Sequence, residues 1–136
     1  MITITKATID QIAEIKALID SAAELDTIKE TFSLSYFTRL MEKGIVLIAI
    51  SKKKVVGVCF GTYSAKEQWA DLLGLVVLAK YRNNEIGTQL IHRFEGQVKN
   101  LGINTIDLYS DISQKDFYEH MGFKKGRQYI SFRKII

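Results

Sequence analysis

Residues 80–85 form a polar stretch between an apolar, β-branched run and a helical pattern, an order typical of a strand, a loop and a helix. The apolar run covers residues 72–79, and the helical pattern starts at Ile86, Gly87 and Thr88. A loop that leads into a helix collects unpaired backbone N–H groups at the positive end of the helix dipole, where phosphate binds well. Many α/β proteins have a polar turn here that binds nothing. The spacing alone therefore leaves a phosphate site and an empty turn as alternatives.

The chain length of 136 residues fits one domain with its own core, so we expect a single domain over residues 1–136. No stretch is of low complexity, and we expect the whole chain to fold. The N-terminus lacks the basic and apolar regions of a signal peptide, and no apolar run approaches the roughly 18 residues that span a bilayer. These features predict a cytoplasmic protein that does not bind membranes.

The net charge of +4 is unevenly distributed along the chain. Residues 1–44 contain five Lys/Arg and seven Asp/Glu, whereas residues 45–136 contain fourteen and eight, so the second part carries +6 and attracts anions. Its basic residues do not alternate with aromatic residues in a stripe, as they do on many nucleic-acid-binding surfaces. The charge distribution therefore favours a small polyphosphate ligand over nucleic acid.

The cysteine and the two histidines predict neither a nucleophile nor a metal site. Cys59, the single cysteine, lies in a strand-like apolar run, which favours a buried core role over a nucleophilic one. His92 and His120 have no Cys or carboxylate neighbours at metal-ligand spacing, so we predict no bound metal.

Hydrophobic periodicity predicts a strand, two helices, a hairpin, a strand, a helix, a strand, a short helix and a last pair of strands. A capping-box pattern of Thr8 and Gln11 opens the first helix, which covers roughly residues 9–23. Ser33 caps the second helix and Gly44 ends it. The predicted strands are residues 2–5, 45–50, 55–63, 72–79 and 105–109, with a final pair within 123–134.

Glycine and capping residues set the ends of the later elements. Three consecutive lysines at 52–54 are interpreted as a solvated hairpin turn rather than a binding patch. Gly102 ends the central helix, and a second capping pattern of Ser113 and Asp116 starts a short helix that Gly122 ends. A helix linking two strands implies parallel neighbours, and hairpins imply antiparallel ones. We expect an α/β (α+β) fold with a mixed, mostly antiparallel sheet of about six or seven strands, a central parallel pair and about four helices.

Two motifs within this order resemble those of the GNAT (Gcn5-related) N-acetyltransferases. Residues 82–87 are similar to the family loop Arg/Gln-x-x-Gly-x-Gly/Ala, and residues 117–123 are similar to its Phe-Tyr-x-x-x-Gly-Phe element. With the order of elements, the resemblance covers nearly the whole chain. It implies the GNAT fold and direct transfer of an acetyl group from acetyl-coenzyme A to a primary amine in a ternary complex. The amine belongs to a small molecule or a protein.

The resemblance also implies where acetyl-coenzyme A, the cosubstrate, binds. It enters a V-shaped opening between the fourth and fifth strands, with its pantetheine arm along the fourth strand and its pyrophosphate at the loop amides. Arg82 and Lys80 either contact phosphate or are surface residues of a turn. The predicted binding residues are Leu75, Val76, Val77, Arg82, Asn83, Asn84, Glu85, Ile86, Gly87, Thr88, Asp111 and Tyr118.

Two positions depart from the family pattern. Glu85 stands where the loop usually has its first glycine, so its side chain either points outward or repels phosphate, and we expect modestly weaker binding. Asp111 stands where the family often has Asn. An ionised aspartate accepts a hydrogen bond from the pantetheine amides but cannot donate one.

Acetyl transfer needs a neutral amine, stabilisation of the charge on the thioester oxygen and a proton for the departing thiolate. The resemblance makes Tyr118 the general acid. The N–H of Val77 or a neighbour could meet the oxygen, and Gly74 nearby is compatible with a β-bulge. Asp71 matches the position of the catalytic Glu of histone-type members, with Glu67 a weaker candidate and water a third possible route for the proton.

The acceptor site is expected at the join between the first two helices, residues 24–36, and at the last hairpin, residues 125–129. Glu24, Asp26 and Glu30 lie in that join and favour a cationic acceptor such as a polyamine, an aminoglycoside or a lysine side chain. Two alternatives are a non-catalytic domain that binds or senses coenzyme A and a basic protein that binds nucleic acid. GNAT members often dimerise, so a homodimer is also expected as a possible assembly.

Overall fold

The computed structural model describes residues 1–22, 33–82 and 85–136. Its helices and strands are β1 (Thr3–Lys6), α1 (Ile12–Ser21), α2 (Leu34–Lys43), β2 (Ile45–Ser51), β3 (Lys54–Ser64), β4 (Trp69–Val77), α3 (Ile86–Asn100), β5 (Asp107–Leu108) and α4 (Lys115–His120). Short 3₁₀ turns at Ile9–Gln11, Ala79–Tyr81 and Ile112–Gln114 precede α1, follow β4 and precede α4.

The described strands form one mixed sheet in the order β1-β2-β3-β4-β5. Neighbouring strands are antiparallel except β4 and β5, which are parallel and are joined through α3. With four helices in the described part of the chain, this arrangement confirms the predicted mixed α/β fold class. The parallel pair lies at the edge of the sheet, however, and not at its centre.

The predicted number of strands was too high. The described sheet has five strands, residues 123–136 form none, and β5 covers only Asp107–Leu108 instead of the predicted 105–109. A two-residue strand offers few hydrogen-bonding positions to a further hairpin, and a hairpin alone is marginally stable. Strand-forming residues in the tail therefore did not suffice to extend the sheet.

Both predicted side-chain caps form, one at the 3₁₀ turn before α1 and one at the start of α2. The Thr8 N–H donates to Gln11 Oε1 at 2.8 Å and completes a capping box, although the turn it opens is 3₁₀ and α1 starts at Ile12. Ser33 Oγ accepts from the Tyr36 N–H at 3.2 Å at the start of α2. Gly44 follows the end of α2, and Ala23, within the predicted first helix, lies outside the described residues.

The sheet separates two hydrophobic clusters. The helices α1 and α2 cover one face, where Ile15, Phe37 and Phe60 are fully buried, and the Phe37 and Phe60 rings meet edge to face at 5.1 Å. The helix α3 covers the other face through Leu90 and Phe94. None of the described helices is both long enough and apolar enough to cross a membrane.

Candidate active site

Strand β4 shifts its register against β3 near its middle. Phe60 pairs with Gly74, but Gly61 pairs with Leu72, so Leu73 is the extra residue of a β-bulge. Such a bulge bends the strand and turns a backbone N–H out of the regular ladder. The bulge that Gly74 made possible in the sequence is therefore present, at Leu73.

Close packing keeps side chains away from both sides of this bulge. A Cβ on Gly74 would overlap the Phe60 ring, and a Cβ on Gly61 would overlap the Asp71 carbonyl oxygen and crowd the Phe94 ring. Both glycines are needed because neighbouring groups occupy the space of a side chain, not because of a left-handed backbone. The sequence pattern gave no sign that Gly61 and Phe60 support the site.

Strands β4 and β5 part beyond the bulge. They pair only at Asp71 with Asp107 and at Leu72 with Leu108, while β4 continues to Val77. No described strand pairs with the far half of β4 on that side, so its N–H and C=O groups line an open wedge. The wedge opens toward the loop that leads into α3, which corresponds to the predicted V-shaped opening between the fourth and fifth strands.

The start of α3 leaves several backbone donors free of side-chain caps. Glu85 precedes the helix with φ 59° and ψ 16°, in the left-handed region, and its side chain makes no capping hydrogen bond. Its carbonyl accepts from the Gln89 N–H at 3.0 Å, the first bond of the helix. Ile86 is buried, whereas Gly87 and Thr88 are partly exposed. The first-turn amides thus point out of the helix at its positive end.

The two predicted cations of the loop are both exposed. Arg82 Nε donates to the Val77 carbonyl oxygen at 3.2 Å, which ties the loop to the end of β4. Lys80 Nζ lies 5.5 Å from the centroid of the Tyr81 ring. The predicted ligands Asn83 and Asn84 lie outside the described residues.

The end of α4 explains the spacing of the second motif. Gly122 has φ +94°, its N–H donates to the Glu119 carbonyl at 3.0 Å, and the Phe123 N–H donates to the Tyr118 carbonyl at 3.0 Å. This is a Schellman closure, in which a glycine in the left-handed region lets the chain reverse. It brings Phe123 back onto Tyr118, with the ring centroids 5.8 Å apart.

The two motifs meet in space although about 30 residues separate them in the chain. A Cβ on Gly87 would lie 3.6 Å from Leu75 Cδ2 and 3.6 Å from Phe117 Cζ. The first turn of α3, the far half of β4 and the helix α4 therefore converge at Gly87. Tyr118 follows Phe117 in α4, and the two rings are 5.0 Å apart.

Tyr118 is partly buried against the core cluster under α3, and this environment keeps its phenol protonated. Burial disfavours the charged phenolate and, with a smaller contribution from Cys59, raises the pKa of Tyr118 to about 12. Cys59 itself is fully buried, and burial raises the pKa of its thiol, as expected for a core residue and not for a nucleophile. At neutral pH Tyr118 is a hydrogen-bond donor.

Asp71 lies on the opposite face of β4 from Tyr118. Its neighbours Ala70 and Leu72 are buried in the cluster under α3, and successive side chains of a strand alternate between faces. Burial raises the pKa of the Asp71 carboxyl, and repulsion from Asp107 raises it further. The other carboxylate considered as a base, Glu67, lies in the exposed turn between β3 and β4.

Asp111 shapes the turn before α4. Its carboxylate accepts from Ser113 Oγ at 2.7 Å, and its carbonyl accepts from the Gln114 N–H at 3.0 Å. The predicted cap of Ser113 with Asp116 was therefore wrong, because the Ser113 hydroxyl binds Asp111 and α4 starts only at Lys115. Periodicity cannot distinguish a helix start from a preceding 3₁₀ turn.

Sequence reasoning missed Asp107, the partner of Asp71 across the parallel pair. The sequence showed only a polar residue within a short predicted strand, because the register between two strands cannot be read from either strand alone. His92 and His120 are both exposed. The described residues hold no group of three or more His, Cys, Asp and Glu side chains that could bind a metal ion.

A family model described as an acetyltransferase (GNAT) domain matches residues 42–125, which is more than half of the chain. The chain belongs to the GNAT acetyltransferase family. The matched range runs from the end of α2 to just beyond Phe123, so it includes the β4 wedge, the start of α3 and the Tyr118 helix. No curated protein sequence matches this GNAT chain significantly.

Solved structures share the fold at low sequence identity. A glucosamine-6-phosphate N-acetyltransferase from Arabidopsis thaliana has a TM-score of 0.80 at 16% identity, over 98% of each chain. The PaiA N-acetyltransferase from Thermoplasma acidophilum, in complex with coenzyme A, has 0.79 at 20% identity, over 91% of this chain and 90% of that chain. A transcriptional regulator from Bacillus halodurans C-125 has 0.79 at 21% identity, over 98% and 100%. At these identities the likeness establishes the fold and leaves the reaction to the site.

Proposed function

We propose that this GNAT family member is an N-acetyltransferase that moves an acetyl group from acetyl-coenzyme A to a primary amine of a small molecule or a protein. The convergence of three elements at Gly87 is the observation that carries the proposal. It joins an open strand edge, a helix start with free amides and the helix that carries the partly buried Tyr118 phenol. The Thermoplasma structure, which has the same fold and contains coenzyme A, supports this assignment.

Acetyl-coenzyme A would extend the sheet at the far half of β4. Its pantetheine amides would bond to the open backbone of Leu75, Val76 and Val77, in the manner of an added strand. Its pyrophosphate would bind the backbone amides of residues 83–88, because the dipole of the 15-residue α3 favours negative charge near its start at Ile86. Glycine at position 87 leaves this side of the first turn without a side chain, where a Cβ would lie in ordinary contact distance of Leu75 and Phe117.

The acetyl group would then pass directly to the amine. The amine nitrogen attacks the thioester carbon, the C–N bond forms, and the C–S bond breaks to release thiolate. Tyr118 is the proposed general acid. A phenol with a pKa of about 12 holds its proton more tightly than a thiol of pKa ~8.5. Tyr118 therefore acts mainly by hydrogen bonding to the developing thiolate, and the proton moves late.

The acceptor amine would approach the thioester from the opposite face of β4. The bulge at Leu73 supplies a candidate N–H donor for the thioester oxygen, as does the backbone near Val77. Asp71 is the proposed base, with water as the other route for the proton. Acid and base would approach the thioester from the two faces of one strand, which fits attack within a ternary complex.

Charge favours a cationic acceptor, such as a polyamine, an aminoglycoside or a lysine side chain. Asp71 and Asp107 lie on the acceptor face, and the join at residues 24–36 adds acidic residues in the sequence. The Arabidopsis protein is named for an amino-sugar phosphate, which is also a primary amine. A cytoplasmic location and a homodimer remain predictions.

A non-catalytic coenzyme A sensor is the second candidate. The carboxylate of Glu85 at the start of α3 favours this candidate. Its charge opposes binding of the pyrophosphate and so departs from the arrangement expected of an efficient enzyme. The partly buried, protonated Tyr118 beside the wedge argues for catalysis.

Calorimetric titration with acetyl-coenzyme A, followed by a thiol-release assay across a panel of amines, tests the proposal. Binding with amine-dependent thiol release is expected. Binding without release from any amine would favour the sensor. Absence of binding at millimolar acetyl-coenzyme A would contradict both.

A further inference from the structure

Asp71 and Asp107 face each other across the parallel pair of β4 and β5. They are register partners, so their side chains project from the same face of the sheet, opposite to α3. They form the first of two paired positions before the strands part, and the bulge at Leu73 follows two residues later. The pair therefore stands at the closed end of the wedge.

This arrangement has an electrostatic cost. Like charges directly opposite each other on neighbouring strands destabilise a sheet. The ion pairs of Lys16 with Asp20 and of Lys115 with Glu119 lie away from this position, and the two influences on Asp71 are its burial and the charge of Asp107. The other cross-strand neighbour of Asp71 is Thr62 on β3, which carries no charge.

We propose that Asp107 is a positioning residue for acetyl transfer, acting through Asp71 by setting the electric field in which Asp71 takes the proton of the attacking amine. The inference rests on the proposed N-acetyltransferase function and on Asp71 as its base. Asp107 is the one charged group, among the described elements packed on β4, that adds to the burial of Asp71 in perturbing it.

The proton balance follows from the attack. As the C–N bond forms, the amine nitrogen loses a proton to the Asp71 carboxylate, while the leaving thiolate is protonated from the other face through Tyr118. Asp71 then releases its proton to water and Tyr118 regains one from water. A carboxylate accepts the proton better when its pKa is closer to the working pH, and repulsion from Asp107 moves the Asp71 pKa in that direction.

The experiment compares the pH dependence of kcat/KM for wild type, Asp107→Asn, Asp107→Glu and the control Glu42→Gln. Glu42 is exposed on α2, which packs on β2 and β3, so its loss matches the charge change away from the pair. NMR titration of the Asp71 carboxyl in the free proteins, identified through Asp71→Asn, measures the coupling without requiring activity. The amine substrate is chosen to titrate well above neutral pH. Its own ionisation then adds the same separate limb to the kcat/KM profile of every variant.

We expect Asp107→Asn to lower the Asp71 pKa, to move the acidic limb of kcat/KM to lower pH by the same amount, and to reduce the plateau by about 2- to 10-fold. Asp107→Glu keeps the charge and should retain the wild-type limb. Glu42→Gln should leave both the limb and the titration unchanged.

Three results would overturn the inference. An Asp71 titration that is the same in wild type and Asp107→Asn would remove the coupling. A coupling seen by NMR with an unmoved acidic limb would remove Asp71 as the base while leaving the acetyltransferase intact. Absence of thiol release by wild type with every amine would remove the proposed function itself, and the inference with it.

Discussion

At the scale of single residues, Tyr118 has the most specific surroundings. The Schellman closure at Gly122 folds Phe123 onto its ring, and Phe117 beside it contacts the Gly87 position. The motif of residues 117–123 was readable in the sequence because its glycine and aromatic spacing is local. Asp107 was not, because only the pairing of two distant strands makes it a neighbour of Asp71.

Tyr118→Phe should lower kcat by about 10- to 100-fold, since the variant loses the hydrogen bond to the thiolate but keeps the ring packing. The KM for acetyl-coenzyme A should change little, because the backbone supplies most of the binding. Steady-state thiol release measures both constants. Tyr109→Phe is the matched control, since Tyr109 is exposed and contacts Tyr129. An unchanged kcat in Tyr118→Phe would contradict the acid role.

Glu85 combines a left-handed backbone with a carboxylate at the start of α3. Glu85→Gly should bind coenzyme A a few-fold more tightly, because the charge near the pyrophosphate is gone. It should also stabilise the fold by up to about 1 kcal/mol, partly offset by the greater freedom of the unfolded chain. Calorimetry and urea unfolding measure the two effects.

Glu85→Gln separates them, because it removes the charge and keeps the Cβ. It should reproduce the gain in affinity without the gain in stability. Equal coenzyme A affinity in wild type and both variants would show that the side chain points away from the ligand.

At the scale of elements, the helix start and the caps could be predicted from the sequence, whereas the bulge of β4 could not be. The helix start at Ile86 and the caps at Thr8 and Ser33 were predicted because the determining residues lie within one turn of each other. The bulge at Leu73 was only allowed by the sequence, since it needs the Phe60 ring from the neighbouring strand to fill the space above Gly74.

Gly74→Ala should therefore lose about 1–3 kcal/mol of unfolding free energy, because the added methyl overlaps the Phe60 ring. Thiol release should fall as well, since the bulge cannot keep its geometry. Gly96→Ala is the control: it lies in α3 with no atom within 4 Å of the new methyl, and it should stabilise by about 0.5–1 kcal/mol. Urea unfolding in which Gly74→Ala matches wild type would contradict the packing argument.

At the scale of the whole molecule, we expect the repulsion between Asp71 and Asp107 to lower the stability of the fold while it makes Asp71 a better base. The raised pKa of Asp71 means that its carboxyl binds a proton more tightly in the folded state than in the unfolded chain, so this contribution to stability is lost as the pH rises through the folded-state pKa of Asp71. The repulsion is then fully present at neutral pH.

Asp107→Asn should accordingly be more stable than wild type at pH 7, by about 0.2–1 kcal/mol, while it is less active. The difference should shrink as the pH falls and Asp71 becomes protonated, because a neutral Asp71 no longer repels Asp107. Urea unfolding at a series of pH values measures it. A variant that is less stable than wild type at neutral pH would indicate that Asp107 has an attractive partner.

The fold class of the molecule followed from the order of its periodic segments, and the open wedge did not. The continuous β-rich apolar runs of β2 and β3 and the helical pattern of α3 are local properties. The end of pairing after Leu72, the two-residue β5 and the absence of a strand in residues 123–136 depend on which edges meet in three dimensions. Tertiary context therefore decided the strand count and the place of the parallel pair.

The short pairing of β4 with β5 also has a thermodynamic consequence. Two register pairs are all that join β5 to β4, and the last five residues of β4 run on with no described strand partner on that side. A ligand that bonds to that edge would supply hydrogen bonds that the folded chain cannot make for itself. Bound acetyl-coenzyme A would thus stabilise the folded state, and the melting temperature of the protein would rise with the free concentration of acetyl-coenzyme A by mass action.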